Sequence, residues 1–242
     1  MDTVADRFLQ SLAEQGIDLN ARQLEQFAVY FRELTDWNER MNLTAITERE
    51  EVYFKHFYDS LTLSFAVPFS AVHTMADIGS GAGFPGIPLK IVFPHISLTI
   101  IDSLQKRIQF LKHLTDALGL DGVRLLHGRA EDLGKMAEHR EQYDMVTARA
   151  VARLNVLNEL CLPFVRTEGL FLAMKGSDPE EEIAEAEFSL RELKGKVEGV
   201  VPVDLPVARA KRHIVVIRKL QNTPRKYPRK AGTPARNPLI KK

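Results

Sequence analysis

The run Asp77-Ile78-Gly79-Ser80-Gly81-Ala82-Gly83-Phe84-Pro85-Gly86 carries three glycines at alternate positions between a short apolar strand pattern and an apolar helix pattern. Such a turn has no side chains in the way, so a ligand can lie directly against its backbone. The next apolar run, Leu98-Thr99-Ile100-Ile101, ends in Asp102, a carboxylate placed to accept hydrogen bonds from a ribose. Glycine turn and carboxylate together imply an adenosine-containing ligand held at Gly79, Gly81 and Asp102. The plain alternative is a glycine turn that holds nothing.

A dinucleotide fingerprint, G-x-G-x-x-G, would put its third glycine at position 84, where this chain has Phe. Phe84-Pro85 supplies bulk and removes an N–H where a pyrophosphate needs donors. S-adenosylmethionine has no phosphate and asks only for close backbone approach, a ribose carboxylate and apolar cover for adenine. Methyl transfer is therefore the leading chemistry.

Further along, Gly128-Arg129-Ala130-Glu131-Asp132 follows another strand pattern. Ala130 leaves room for a flat adenine and a carboxylate there can take its amino hydrogens. As a bare helix opening the segment is equally sensible, with acids facing the positive end of the dipole. Gly128…Gly134-Lys135-Met136 misses a phosphate loop by one residue of spacing and by its Met, so nucleotide hydrolysis is rejected. After Tyr143 to Ala148, the substrate should meet the donor near Arg149 and Arg153, four apart and able to share one face toward the cleft or to be an ordinary surface pair. The Asn/Asp-Pro-Pro-aromatic signature of enzymes that methylate exocyclic amines is missing here. Cys161 lies in an apolar helix pattern and is expected to pack rather than to act as a nucleophile.

Charge is distributed unevenly. All 32 acids lie at or before Asp204, while 12 Lys and Arg and no acid follow it. A basic end of this kind suits a polyanion; a solvated tail that aids solubility is the alternative. Prolines and an aromatic are interleaved with the cations, so Arg225, Lys226, Arg229, Lys230 and Arg236 are expected to track phosphates while Tyr227 stacks on a base.

The elements that must position these groups follow from periodicity. Helices are expected over about 2–15, from Asn20 (an N-cap, with Gln23 completing a capping box) to 41, and from Thr47 (with Glu50) to 64. Strands are expected near 74–78, 97–102, 123–128, 143–148, 169–174, 197–204 and 212–219, with helices near 85–93, 104–118, 130–139, 153–161 and 179–194 between them. The reading is an α/β, Rossmann-like fold with a mostly parallel seven-stranded sheet. Three units are expected: an N-terminal helical cap (1–66), a methyltransferase domain (67–220) and a basic, proline-rich tail (221–242). One cysteine excludes a disulfide framework and a cysteine-based metal site, and no metal is expected. The acidic N-terminus and the lack of a long apolar run give neither signal peptide nor membrane span, so the cytoplasm is the expected location. A monomer is favoured.

The chain resembles the bacterial small-subunit ribosomal RNA guanine-N7 methyltransferase family, also called glucose-inhibited division protein B, almost end to end. The residues that carry the resemblance are Trp37-Asn38…Asn42-Leu43-Thr44, His56…Asp59-Ser60-Leu61, the Asp77–Gly86 turn, Gly128-Arg129-Ala130-Glu131, Thr147-Ala148-Arg149-Ala150 and Tyr227-Pro228-Arg229…Gly232-Thr233-Pro234…Pro238-Leu239. Arg236 departs from a Lys in the family pattern and keeps the charge. The resemblance implies a class I methyltransferase fold, methylation of one guanine of 16S ribosomal RNA or of the small ribosomal subunit, and cofactor contacts at Gly79, Phe84, Ala130, Glu131 and Arg149. Guanine N7 has no proton to remove, so no catalytic acid or base is expected. His56 and Asp59 stand between a place at the cofactor mouth and a purely structural one. A non-catalytic RNA-binding protein and a small-molecule methyltransferase are the competing classes; the intact donor turn disfavours the first and the basic end the second.

Overall fold

A computed structural model describes residues 3–176, 178–207 and 210–241. Asp2, the expected start of the first helix, lies outside them, as do Arg209 and Lys242 of the basic end.

Seven strands, β1 (Thr74–Ile78), β2 (Ser97–Asp102), β3 (Val123–His127), β4 (Tyr143–Arg149), β5 (Val165–Lys175), β6 (Gly195–Asp204) and β7 (Lys211–Lys219), form one sheet in the order β3-β2-β1-β4-β5-β7-β6. Strands β1 to β5 pair in parallel, while β7 runs antiparallel to both β5 and β6. From β1 the chain winds outward to β2 and β3, then crosses back to β4 on the other side. That reversal opens a crevice beyond the carboxyl ends of β1 and β4, where ligands of such sheets bind. The two central strands are almost wholly buried, as parallel strands covered on both faces must be.

Helices α1 (Thr3–Ala13), α2 (Ala21–Met41), α3 (Arg49–Val52), α4 (Asp59–Leu61), α5 (Leu63–Ala66), α6 (Gly86–Val92) and α7 (Gln105–Ala117) are followed by α8 (Ala130–Leu133), α9 (Leu154–Cys161), α10 (Glu180–Leu193) and α11 (Thr233–Arg236). The Asn20–Gln23 capping box forms as expected, both reciprocal hydrogen bonds being present. The single helix expected after Thr47 does not: α3 passes into a π-helical segment, Tyr53–Tyr58, before α4, and its N-cap is Glu48, without a side-chain hydrogen bond. The helix expected to reach 139 stops at Leu133, and β5 begins earlier than the expected 169.

One core unites Phe8, Phe27, Tyr30 and Phe57 from the N-terminal helices with Met75, Ile87 and Leu98. These helices thus share a continuous apolar interior with one face of the sheet. A second core, with Leu157, Cys161, Leu190 and Ile217, fills the opposite face. It also takes in Tyr227 and Leu239.

The basic, proline-rich segment is therefore packed on the core. Residues 221–241 fold back over α9 and α10. The Arg140 guanidinium donates to the carbonyls of Gly134, Thr223 and Tyr227 at 3.1, 2.6 and 2.9 Å. Tyr227 is only 5% exposed and its hydroxyl donates to Glu192 at 2.9 Å. Arg229 forms a bidentate pair with Glu159, a carboxylate buried in α9. Composition shows the cations of this segment; it does not show that acids close in space claim three of its recognition residues, Lys226, Tyr227 and Arg229.

Candidate functional site

The glycine turn follows β1 and leads into α6. Gly79 and Gly81 have φ of 72° and 63°, the left-handed region that glycine enters without penalty. A Cβ on Gly81 would meet nothing within 4 Å, so its face is open to a ligand. Gly86 serves the fold instead: its N–H donates to Asp77 Oδ2 at 2.8 Å, and a Cβ there would strike that carboxylate. Asp77 is fully buried, and burial raises its pKa from 3.8 to about 6 against the pull of its hydrogen bonds.

Asp102 closes β2 and is 2% exposed. Its Oδ2 accepts from Gly81 N–H at 3.1 Å and from Arg107 at 3.2 Å, and its Oδ1 from Leu104 N–H at 2.9 Å. A carboxylate offers about four acceptor positions, so three protein donors leave one on Oδ1. Beyond these strand ends lies a cleft of about 260 Å³ lined by Gly79, Asp102, Arg107, Arg129, Ala130, Glu131 and Val151, among others. Gly79, Asp102, Ala130 and Glu131, which the sequence singles out separately, thus meet in one place, and Asp102 fixes the Gly81 backbone beside them. The open glycine face, the spare acceptor on Asp102 and the small Ala130 fit an adenosine moiety.

Glu131 is more committed than expected. Its Oε1 accepts from the Gly232 N–H of the C-terminal segment at 2.7 Å. The Phe84 side chain is buried, stacked against Tyr30 at 5.3 Å and His56 at 4.5 Å, with the Arg149 guanidinium 4.9 Å from its ring centre. Its bulk organises the aromatic wall behind the turn.

Arg149 ends β4. It donates to Asp59 Oδ2 at 2.9 Å and lies 3.2 Å from His56 Nδ1. Arg212 of β7 donates to the other oxygen of the same Asp59 at 3.2 Å. His56 Nδ1 thus sits between a guanidinium, which can only donate, and the Lys55 carbonyl at 3.1 Å, which can only accept, while Nε2 lies 2.8 Å from Thr44 Oγ1. Burial, then the Arg149 charge, lowers the His56 pKa to about 3, so the ring is neutral. His56 and Asp59, which sequence alone leaves between two readings, hold Arg149 in place. Their clue in the sequence is their spacing within one helical segment, but nothing local shows that β4 delivers an arginine to them.

These groups line a second cavity of about 460 Å³, with Ile46, Met174, Lys175 and Glu182. Ala150, whose φ of 56° places it in the left-handed region, lines both cavities. Arg153 goes elsewhere. It is the N-cap of α9 and pairs with Glu185 of α10 at 2.8 Å, so Arg149 and Arg153 do not share a face. Arg225, Lys226, Lys230 and Arg236 are exposed, Lys226 beside Glu192, whereas Tyr227 and Arg229 point inward. Cys161 is buried and burial pushes its thiol up, as packing rather than reactivity requires. Among the described residues no cluster of His, Cys, Asp and Glu is arranged for a metal ion, and no helix is long and apolar enough to cross a membrane.

The model of the family described as rRNA small subunit methyltransferase G matches residues 23–215. Curated relatives named ribosomal RNA small subunit methyltransferase G include those of Halalkalibacterium halodurans, 55% identical over 96% of this chain and 98% of that protein, and Bacillus subtilis, 53% identical over 97% and 98%. Among solved structures, a putative O-methyltransferase from Klebsiella pneumoniae is similar with a TM-score of 0.57 at 13% identity, covering 88% of this chain and 96% of that one. An MtNAS variant in complex with S-adenosylmethionine gives a TM-score of 0.54 at 15% identity, covering 90% and 78%.

Proposed function

The chain belongs to the rRNA small subunit methyltransferase G family, and from that membership we propose that it transfers the methyl group of S-adenosylmethionine to N7 of one guanine in 16S ribosomal RNA. The observation that carries the reading is the meeting of two cavities at Ala150, one built from the glycine turn and Asp102, the other from the Arg149–Asp59 network.

Gly79, Gly81, Asp102, Ala130 and Glu131 are the residues that would hold the cofactor: the glycines by close approach, Asp102 through its spare acceptor position, Ala130 by leaving room. When bound, S-adenosylmethionine supplies a methyl group already activated by its sulfonium. The acceptor N7 carries a bare lone pair, so no side chain has to take a proton. The titratable groups nearby accord with that: neutral His56 is bonded at both nitrogens, and Asp77 is sealed beneath the turn by Gly86. What the chain contributes is position. Arg149, fixed from two sides, holds the wall of the acceptor pocket and adds positive charge there. An arginine fork onto O6 and N7 would block the reacting atom, and Asp59 keeps this guanidinium otherwise engaged.

Exposed Arg225, Lys226, Lys230 and Arg236, together with Arg153 at the edge, supply the cationic surface for the RNA backbone. An enzyme acting on 16S RNA works in the cytoplasm, on the RNA or the small subunit. Titration calorimetry tests the donor half: S-adenosylmethionine should bind and NAD should not, whereas micromolar NAD binding would revive a dehydrogenase.

A further inference from the structure

The acceptor cavity contains one charged pair that the Arg149 network does not use. Arg149 and Arg212 are committed to Asp59, and Lys55 to Glu51. Lys175, the last residue of β5, and Glu182, in the first turn of α10, instead pair with each other, Nζ to Oε2, at 2.6 Å. The Lys175 ammonium also donates to the Ala152 carbonyl at 3.1 Å. An ammonium has three donors, so one remains. Among the described residues Glu182 Oε2 is buried and, the close ion pair apart, has no hydrogen-bond partner. A free acceptor and a free donor therefore stand side by side in a half-buried cavity, with Met174 and Ile46 as apolar neighbours.

This pair complements the Watson–Crick edge of guanine, which presents two donors, N1–H and the N2 amino group, next to one acceptor, O6. Orientation follows from the chemistry. O6 and N7 share one edge of the base, and N7 has to face the donor cleft. Lys175 is the member tied to Ala152, two residues from the Ala150 wall, so O6 falls to Lys175 and the two donors to Glu182. Adenine in the same place would set its N6 amino group against the ammonium and offer no hydrogen to the carboxylate at N1.

We propose that Glu182 and Lys175 are the specificity-determining residues for the target base, Glu182 accepting from N1–H and N2–H and Lys175 donating to O6. This rests on guanine N7 of 16S RNA being the acceptor. Both side chains lie outside the donor cleft, so their loss should alter base choice without altering cofactor affinity.

Inosine tests the assignment because it keeps N1–H, O6 and N7 and lacks only the N2 amino group. With the full-length protein, 16S RNA carrying inosine at the mapped target should be methylated with kcat/KM at least about tenfold below the guanosine RNA, the scale of a hydrogen bond to a charged group. In Glu182→Gln, which keeps the shape but not the charge, that ratio should collapse to within about threefold while S-adenosylmethionine binding stays unchanged. Glu182→Ala gives the same reading should the amide variant fail to bind the donor. Equal use of both RNAs by the unsubstituted protein overturns the proposal, as does an unchanged guanosine-to-inosine ratio in the variants. A protein that binds the donor and leaves guanosine RNA unmethylated would overturn the parent reading instead.

Discussion

The backbone N–H of Gly232 donates to Glu131 Oε1 at 2.7 Å, so the C-terminal segment ends up bonded to a carboxylate that lines the donor cleft. Nearby Arg229 neutralises Glu159, whose carboxylate is otherwise buried in α9. The basic segment therefore supports the cleft proposed for the cofactor as well as supplying surface charge.

Removing residues 223–242 should accordingly weaken S-adenosylmethionine binding as well as RNA methylation. Arg229→Met isolates the cause: leaving the Glu159 charge buried without its counter-ion, with only the backbone N–H of residue 229 still donating to it, should destabilise the fold by up to about 3–5 kcal/mol. Calorimetry and thermal melting measure the two effects. A truncated protein that keeps full cofactor affinity and stability would return the segment to the status of a detached tail.

Gly81→Val and Gly79→Val should weaken cofactor binding by different routes. At Gly81 the new side chain points into open space that the proposed ligand would fill; at Gly79 it meets Val151 Cγ2 at 2.8 Å, and both positions require a left-handed backbone. Calorimetry should show a loss of at least about tenfold in protein that still gives a native circular dichroism spectrum. Unchanged affinity would move the donor site away from this turn.

Asp102→Ala removes the spare acceptor and also frees the Gly81 and Leu104 amides. The donor affinity should fall by about 1–3 kcal/mol, the cost of losing a hydrogen bond to a charged group. Asp102→Asn, which retains one acceptor oxygen, should fall between this and the unsubstituted protein. Equal affinities across the three would assign Asp102 to the fold alone.

The sheet and the donor turn are legible in the sequence because buried parallel strands and a glycine turn leave local signatures: β1 and β2 lie at 74–78 and 97–102, as periodicity predicts. What escapes is whatever depends on a distant partner. Tyr227 and Arg229 read as nucleic-acid contacts until Glu192 and Glu159, more than 30 residues upstream, claim them. Phe84 is a cofactor contact only by resemblance, and nothing local in the sequence shows that its ring packs between Tyr30 and His56. The π-helical turn at Tyr53–Tyr58 has no periodic signal of its own, so the roles of His56 and Asp59 stay hidden until Arg149 is placed against them.

Two buried groups give stability opposite dependences on pH. The unfolded chain protonates His56 near 6.5 but the native ring resists until about 3, so below 6.5 its contribution costs up to about 1.4 kcal/mol per pH unit. Asp77 holds its proton to about 6 in the native state against 3.8 when unfolded, so its contribution falls as pH rises through that window. His56→Asn should flatten the loss of stability on acidification, and Asp77→Asn should steepen it. Denaturant unfolding between pH 4.5 and 7.5 would refute both assignments if neither slope changed.

Incubation of 16S RNA and of small subunits with radiolabelled S-adenosylmethionine, followed by mapping of the label, tests the central claim most directly. Incorporation should occur at N7 of one guanine, detectable as a single site of strand scission after borohydride and aniline treatment, and 7-deazaguanosine at that position should abolish it. Label on a ring carbon, an exocyclic amine or a ribose, or no label from protein that binds the donor, would contradict the account.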